Sequence, residues 1–153
     1  MDITVVIPAK NEAENLELLL PELADYISLD RVVVVDDGST DNTLRVCETQ
    51  GVRTVKHAYS KGNGAAIKSG ARLADTEWIL FMDADGQHPP SAIPSLIAQC
   101  EKGADLVVGA RSAEAQANFG RSLANSLYNH LSSIIVGHKI LDLTSGFRLV
   151  RRQ

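Results

Sequence analysis

A chain of 153 residues, 44% hydrophobic and 22% charged, is long enough for one domain with its own core and too apolar to stay disordered. Its formal net charge of −4 argues against a nucleic-acid partner, whose phosphate backbone wants a basic face. The two cysteines, Cys47 and Cys100, lie far apart in helix-like stretches and read as reduced core residues of a cytosolic protein, not as a disulfide or a zinc site.

Residues 3–8 are a short β-branched run and predict a strand, which the N-terminus enters at once with no signal-peptide pattern. Residues 12–27 carry leucines at 16, 19, 20 and 23, a helical period that continues past Pro21. Residues 31–36 contain four consecutive valines, a run without polar alternation that fits a strand buried on both faces. A helix over 41–50, a strand over 52–56, a helix over 64–74 and a strand over 78–82 follow. A helix over 91–101, entered through Pro89-Pro90, precedes a strand over 105–109, a helical stretch over 118–136 and a final strand over 144–150. Strands alternating with helices predict an α/β fold with a mostly parallel sheet. No apolar run approaches the roughly 20 residues of a membrane span. The chain stops after Arg151-Arg152-Gln153 with no turn or cap, so a single domain over 1–153, truncated on its C-terminal side, is expected.

Ligands of such sheets bind beyond the carboxyl ends of the strands. Here those ends read Pro8-Ala9-Lys10-Asn11-Glu12, Asp36-Asp37-Gly38-Ser39-Thr40-Asp41, Asp83-Ala84-Asp85-Gly86-Gln87 and Gly109-Ala110-Arg111-Ser112. Asp83 and Asp85 alternate after a buried strand, so both carboxylates are expected to meet one cation. Oxygen donors select a hard ion, Mg²⁺ or Mn²⁺. Asp-Gly and Pro-Pro would also serve a plain turn, but the other acidic strand ends favour the metal. In the second segment Ser39 to Asp41 are expected to cap a helix while Asp37 points to ligand. The loop Ser60-Lys61-Gly62-Asn63-Gly64 either faces a phosphate with its backbone N–H groups or serves turning and close packing. Arg111, at a strand end, and Arg121, ten residues on, suit phosphate oxygens. His88 stands near the site by position; His57, His130 and His138 read as ordinary residues, with no spacing for a metal or a triad.

The stretches VVIPAKNEAENL, VVVVDDGSTDNT, KGNGAAIKSGARLA, ILFMDADGQHPP, VVGARS and LDLTSGFRLVRR resemble, in order and rough spacing, the family 2 glycosyltransferases. Within that family they look most like the dolichol-phosphate mannosyltransferase and polyprenyl-phosphate glycosyltransferase group. The resemblance implies a GT-A fold: a Rossmann-like three-layer sandwich with a mostly parallel central sheet. It implies an inverting transfer from a nucleotide sugar, GDP- or UDP-linked, such as GDP-mannose or UDP-glucose. It further implies a lipid-phosphate acceptor, a polyprenyl phosphate, met by a cytoplasmic protein at the cytoplasmic face of a membrane.

By the same resemblance Pro8, Ala9 and Glu12 are nucleotide contacts, and Val35 and Asp37 are base and ribose contacts. Asp83, Ala84 and Asp85 face the diphosphate, with Asp83, Asp85 and Gln87 as metal ligands. Arg111 sits near the donor phosphates and the acceptor, and Arg121 is the weaker match to an acceptor-phosphate arginine. Asp85 and Arg111 are the residues expected to carry catalysis. Ser145-Gly146-Phe147-Arg148 matches a segment read as lining and support. Family members continue into helices that cover the acceptor, which puts turnover by this chain alone in question. No separate general base stands out, which favours an acceptor that is already an anion. Three rivals are a phospho-receiver domain, a sugar nucleotidyltransferase and a non-catalytic nucleotide-sugar-binding fragment. The first expects its acidic pair after strand one and a lysine after strand five. The second expects a glycine-rich loop where Pro8-Ala9-Lys10-Asn11-Glu12 stands. The sequence names neither base, sugar nor oligomeric state.

Overall fold

The computed structural model of the chain describes residues 1–109 and 145–152. Strand β1 (Ile3–Ala9) leads to helix α1 (Ala13–Ala24), and a 3-10 turn (Leu29–Arg31) opens β2 (Val32–Asp36). Helix α2 (Thr43–Gln50), β3 (Arg53–Lys56), α3 (Asn63–Leu73) and β4 (Trp78–Phe81) follow. A second 3-10 turn (Pro90–Ala92) opens α4 (Ile93–Cys100), then come β5 (Leu106–Val108) and β6 (Arg148–Arg151). Every element expected from the sequence in the described residues is present with shifted ends. The helical expectation over 118–136, and Arg111 and Arg121, lie outside the described residues.

The strands form one sheet in the order β3-β2-β1-β4-β6-β5. β3, β2, β1 and β4 pair in parallel; β6 runs antiparallel to both β4 and β5. The four-valine run is β2, central and buried throughout. Its side chains alternate between two cores, as period two requires. Val32 and Val34 join Leu16, Leu19, Leu20 and Leu23 of α1 on one face. Val33 and Val35 join Val6, Ile79 and Ala66 of α3 on the other.

Helix α3 lies close against that second face. A Cβ on Gly70 would fall 2.3 Å from Val6 Cγ1 and 3.1 Å from Val35 Cγ2, so only glycine fits there. Helix α1 tolerates Pro21 because it falls on the exposed side, opposite the leucine stripe. Both cysteines are buried and unpaired, and burial pushes both thiols up. No helix among the described residues is long and apolar enough to cross a membrane.

Candidate functional site

Period two along the strands decides which acidic residues meet. Val6, Val35 and Ile79 face α3, so Pro8, Asp37 and Asp83, two or four positions further along, continue onto the same side. Asp36 falls on the opposite side with Val34, and its Oδ1 accepts the Ser39 N–H at 2.9 Å. The ladder runs one residue past the strands: Asp37 N–H donates to Ala9 O and His57 N–H to Asp36 O, both at 2.8 Å. Those bonds hold the ends of β1, β2 and β3 flush.

A cavity of about 390 Å³ opens at this edge. The β1 end contributes Pro8, Ala9, Lys10 and Glu12; the β2 end contributes Asp37. Ser60, Gly62, Asn63 and Ala66 form the α3 side, and Asp83, Ala84 and Asp85 form the β4 side. Seven of the residues expected at the site (Pro8, Ala9, Glu12, Asp37, Asp83, Ala84, Asp85) therefore share one space. Val35 does not line it: its side chain is fully buried against α3. Gln87 is exposed just beyond the lining, and its N–H donates to Asp85 Oδ1 at 3.1 Å.

The α3 side is built around Asp37, which is 4% exposed. Its Oδ1 accepts from His57 Nδ1 at 2.7 Å and from the Lys61 N–H at 2.8 Å. Its Oδ2 accepts from Ser60 Oγ at 2.7 Å and from the Gly62 N–H at 2.8 Å. The His57 bond first, then those of the loop, hold the carboxyl well below the usual carboxylate range, against the opposing effect of burial. The loop before α3 thus gives the N–H groups of residues 61 and 62 to Asp37, which decides between the two readings of that loop for these two groups. Gly38 lets the loop approach: its φ is +75°, and a Cβ there would fall 2.9 Å from Ser60 N. His57, read from the sequence as ordinary, is 5% exposed and central to this wall. Its only sequence signal was its place one residue past a strand, level with the acidic end of the neighbour.

The β1 and β2 ends are laced together by short polar side chains. Asp41 caps two helices: Oδ1 accepts the Thr43 N–H of α2 at 3.0 Å, and Oδ2 the Ala13 N–H of α1 at 3.1 Å. Burial pushes its carboxyl up, and these bonds outweigh that, so the net shift is downward. Ser39 and Thr40 do not cap α2 as expected. Ser39 Oγ accepts the Asn11 N–H, and the Thr40 N–H donates to Asn11 Oδ1 at 2.8 Å. Asn11 itself adopts a left-handed φ of 58°, which asparagine tolerates.

The β4 side differs from the expected strand alternation. β4 ends at Phe81, so Asp85 is placed by a turn, with Gly86 at φ 71°. Behind it lies the segment leading into β6. A Cβ on Gly146 would fall 1.9 Å from Asp83 Oδ2, so glycine is what leaves room for that carboxylate. Phe147 stacks on His88 with ring centroids 5.0 Å apart. Ser145 Oγ sits 3.2 Å from His88 Nε2 and donates to Gly109 O at 2.6 Å. His88 is thus buried beside the site and joins the β4 turn to β6.

Among the described residues four carboxylates (Glu12, Asp37, Asp83, Asp85) and one lysine line the cavity, a balance that an anionic ligand meets more easily with a cation beside it. Among the described residues no group of three or more His, Cys, Asp or Glu side chains is disposed to hold a metal. What is present fits a hard divalent ion that keeps positions open. Asp83 and Asp85 both line the cavity, and Mg²⁺-type sites take one or two carboxylates plus water and phosphate.

The model of the family described as Glycosyl transferase family 2 matches residues 4–153. A dolichol-phosphate mannosyltransferase from Pyrococcus furiosus is 34% identical over 170 residues, covering 100% of this chain and 47% of its own length. An undecaprenyl-phosphate 4-deoxy-4-formamido-L-arabinose transferase from Proteus mirabilis is 32% identical, covering 98% of this chain and 49% of its own. An undecaprenyl-phosphate mannosyltransferase from Micrococcus luteus is 33% identical, covering 99% and 67%. The chain spans about half the length of the first two. The crystal structure of glucosyl-3-phosphoglycerate synthase from Mycobacterium tuberculosis, in complex with Mn²⁺, UDP and glucosyl-3-phosphoglycerate, superposes with a TM-score of 0.73. It is 24% identical, over 97% of this chain and 56% of that one. The likeness is one of fold, a mixed six-stranded sheet between helices, as in GT-A glycosyltransferases. With the family model spanning nearly all of its residues, and relatives above 30% identity covering almost all of it, the chain belongs to glycosyl transferase family 2 and has the GT-A fold.

Proposed function

We propose that the chain holds the donor side of an inverting glycosyltransferase that moves a sugar from a nucleoside-diphosphate sugar to a polyprenyl phosphate. The observation that carries this reading is the single cavity uniting the β1, β2 and β4 ends, with Asp83 and Asp85 on one wall and the Asp37-held loop on the other. The relatives that act, by name, on dolichol or undecaprenyl phosphate support the acceptor class.

The residues divide the work by position. Pro8, Ala9 and Glu12 border the space beside Asp37, where the nucleoside would lie. Asp83, Asp85 and Gln87 would hold Mg²⁺ or Mn²⁺, which when bound supplies Lewis-acid neutralisation of the departing diphosphate. Lys10 adds a positive charge at the same mouth. The acceptor, already an anion, needs no base from the chain to attack the anomeric carbon from the opposite face. Arg111 and Arg121, outside the described residues, are proposed to steer that phosphate. Work at the surface of a membrane follows from the acceptor.

Thermal stability of the purified chain against UDP, GDP, ADP and CDP, each with and without Mn²⁺, tests the donor site. A nucleotide at 100 times its Kd adds about 2.7 kcal/mol. Stabilisation by one nucleotide, only with metal and lost in Asp85→Asn, is the expected result and names the base. Absence of any shift overturns the donor reading. Transfer to undecaprenyl phosphate is assayed separately, because binding and turnover are distinct claims for a chain that spans 47% to 67% of these relatives.

A further inference from the structure

A carboxylate offers about four lone-pair positions, and those of Asp37 are met by four donors from this chain. Three of the four belong to residues 60, 61 and 62, the stretch that puts Ser60 and Gly62 on the cavity wall. The fourth is His57 Nδ1, which must carry the proton because an ionised carboxylate only accepts. The far ring nitrogen, Nε2, lies 2.9 Å from Ser69 Oγ on α3. Ring, carboxylate and loop therefore form one continuous chain of hydrogen bonds, buried at the His57–Asp37 link, from α3 through the β3 end to the β2 end.

We propose that His57 is a positioning residue for the nucleotide side of the cavity: it fixes Asp37, and Asp37 fixes the loop whose Ser60 and Gly62 face the ligand. The proposal rests on the donor reading above. It gives Asp37 a role different from that of Asp85. Asp37 shapes the pocket through the loop, while Asp85 is left to meet a ligand directly. It also explains why the histidine stands one residue past β3. Only there does the ladder bring it level with Asp37 and within reach of α3.

Asparagine and glutamine separate the two ring nitrogens. An asparagine amide N lies near the position of Nδ1 and keeps the bond to Asp37; a glutamine amide lies near Nε2 and keeps only the bond to Ser69. Calorimetric binding of UDP and GDP with Mn²⁺ is measured on the whole chain and on His57→Asn, His57→Gln and Ser69→Ala, together with amide exchange at Lys61 and Gly62. His57→Gln is expected to raise Kd about tenfold and to speed exchange at both amides, whereas His57→Asn stays within about threefold of the parent. Adding Asp37→Asn to His57→Gln is expected to weaken binding no further than Asp37→Asn alone. Equal losses in the asparagine and glutamine variants would make His57 a space-filler and overturn the proposal, as would unchanged exchange at Lys61 and Gly62 in His57→Gln. If His57→Gln does not fold, Ser69→Ala decides: faster exchange at the two amides supports the chain of bonds, and no change there overturns it. If the parent chain binds neither diphosphate, the donor reading fails, and the exchange rates alone still decide whether His57 positions the loop.

Discussion

Asp37 and Asp85 are the same residue type at the same edge of the same sheet, in opposite surroundings. Asp37 is buried and its oxygens are met by four donors. Asp85 is exposed and, among the described residues, accepts one hydrogen bond, from the Gln87 N–H. A carboxylate saturated by its own protein holds structure; one left open to the cavity can meet a cation. The difference follows from what each strand end faces. β2 ends beside a loop that turns back over it, while β4 ends in an open turn.

The contrast breaks most visibly at Asp37. Asp37→Ala leaves two backbone N–H groups, a serine and a histidine without their acceptor, and is expected to destabilise the chain by about 3 kcal/mol. Asp85→Ala is expected to change stability by less than about 0.5 kcal/mol while abolishing metal-dependent nucleotide binding. Urea unfolding with and without UDP and Mn²⁺ measures both; similar stabilities for the two variants would sink the comparison.

Gly146→Ala sharpens it from the other wall. The new Cβ falls on Asp83 Oδ2, and overpacking of this kind costs about 1–3 kcal/mol. The carboxylate must shift, so the stabilisation by Mn²⁺ with nucleotide is expected to fall more than stability itself. Gly70→Ala is the control: it crowds Val6 and Val35 by a similar mechanism, and none of these three residues lines the cavity. A calorimetric scan in which Gly70→Ala weakens metal binding as much as Gly146→Ala would deny Gly146 any specific part.

Acid probes the Asp37 side alone, with the smallest change. The folded Asp37 carboxyl lies below its ordinary value of 3.8, so its contribution is fully present above that value and is lost as pH falls through the folded one. From pH 7 to 5 the Asp37 wall is therefore expected to stay constant. Below about pH 3.8 stability declines, and Asp37→Asn flattens that part of the profile. A parent profile identical to that of Asp37→Asn below pH 4 would remove Asp37 from the acid response.

Much of this was legible from the residues. Four consecutive valines need a strand buried on both faces, the leucine period of α1 needs one core face, and acidic strand ends in an α/β pattern mark an edge. Pro8, Ala9, Glu12, Asp37, Asp83, Ala84 and Asp85 were assembled from that pattern and the family resemblance together, and they line one cavity. The sequence left the partners of Asp37 hidden, because His57, Ser60 and Gly62 lie 20 to 25 positions away, and the loop Ser60-Lys61-Gly62, though it stood out, gave no sign that its donors turn to Asp37. It also left open which helix Asp41 caps, since capping a second helix 28 positions back requires two strand ends to be adjacent.

The sequence by itself determined element types, the two-faced core and the acidic edge, because side-chain periodicity and turn chemistry are local. Tertiary structure alone decided which carboxylate is saturated and which is open. That depends on strand register and on the loop that Gly38 lets in.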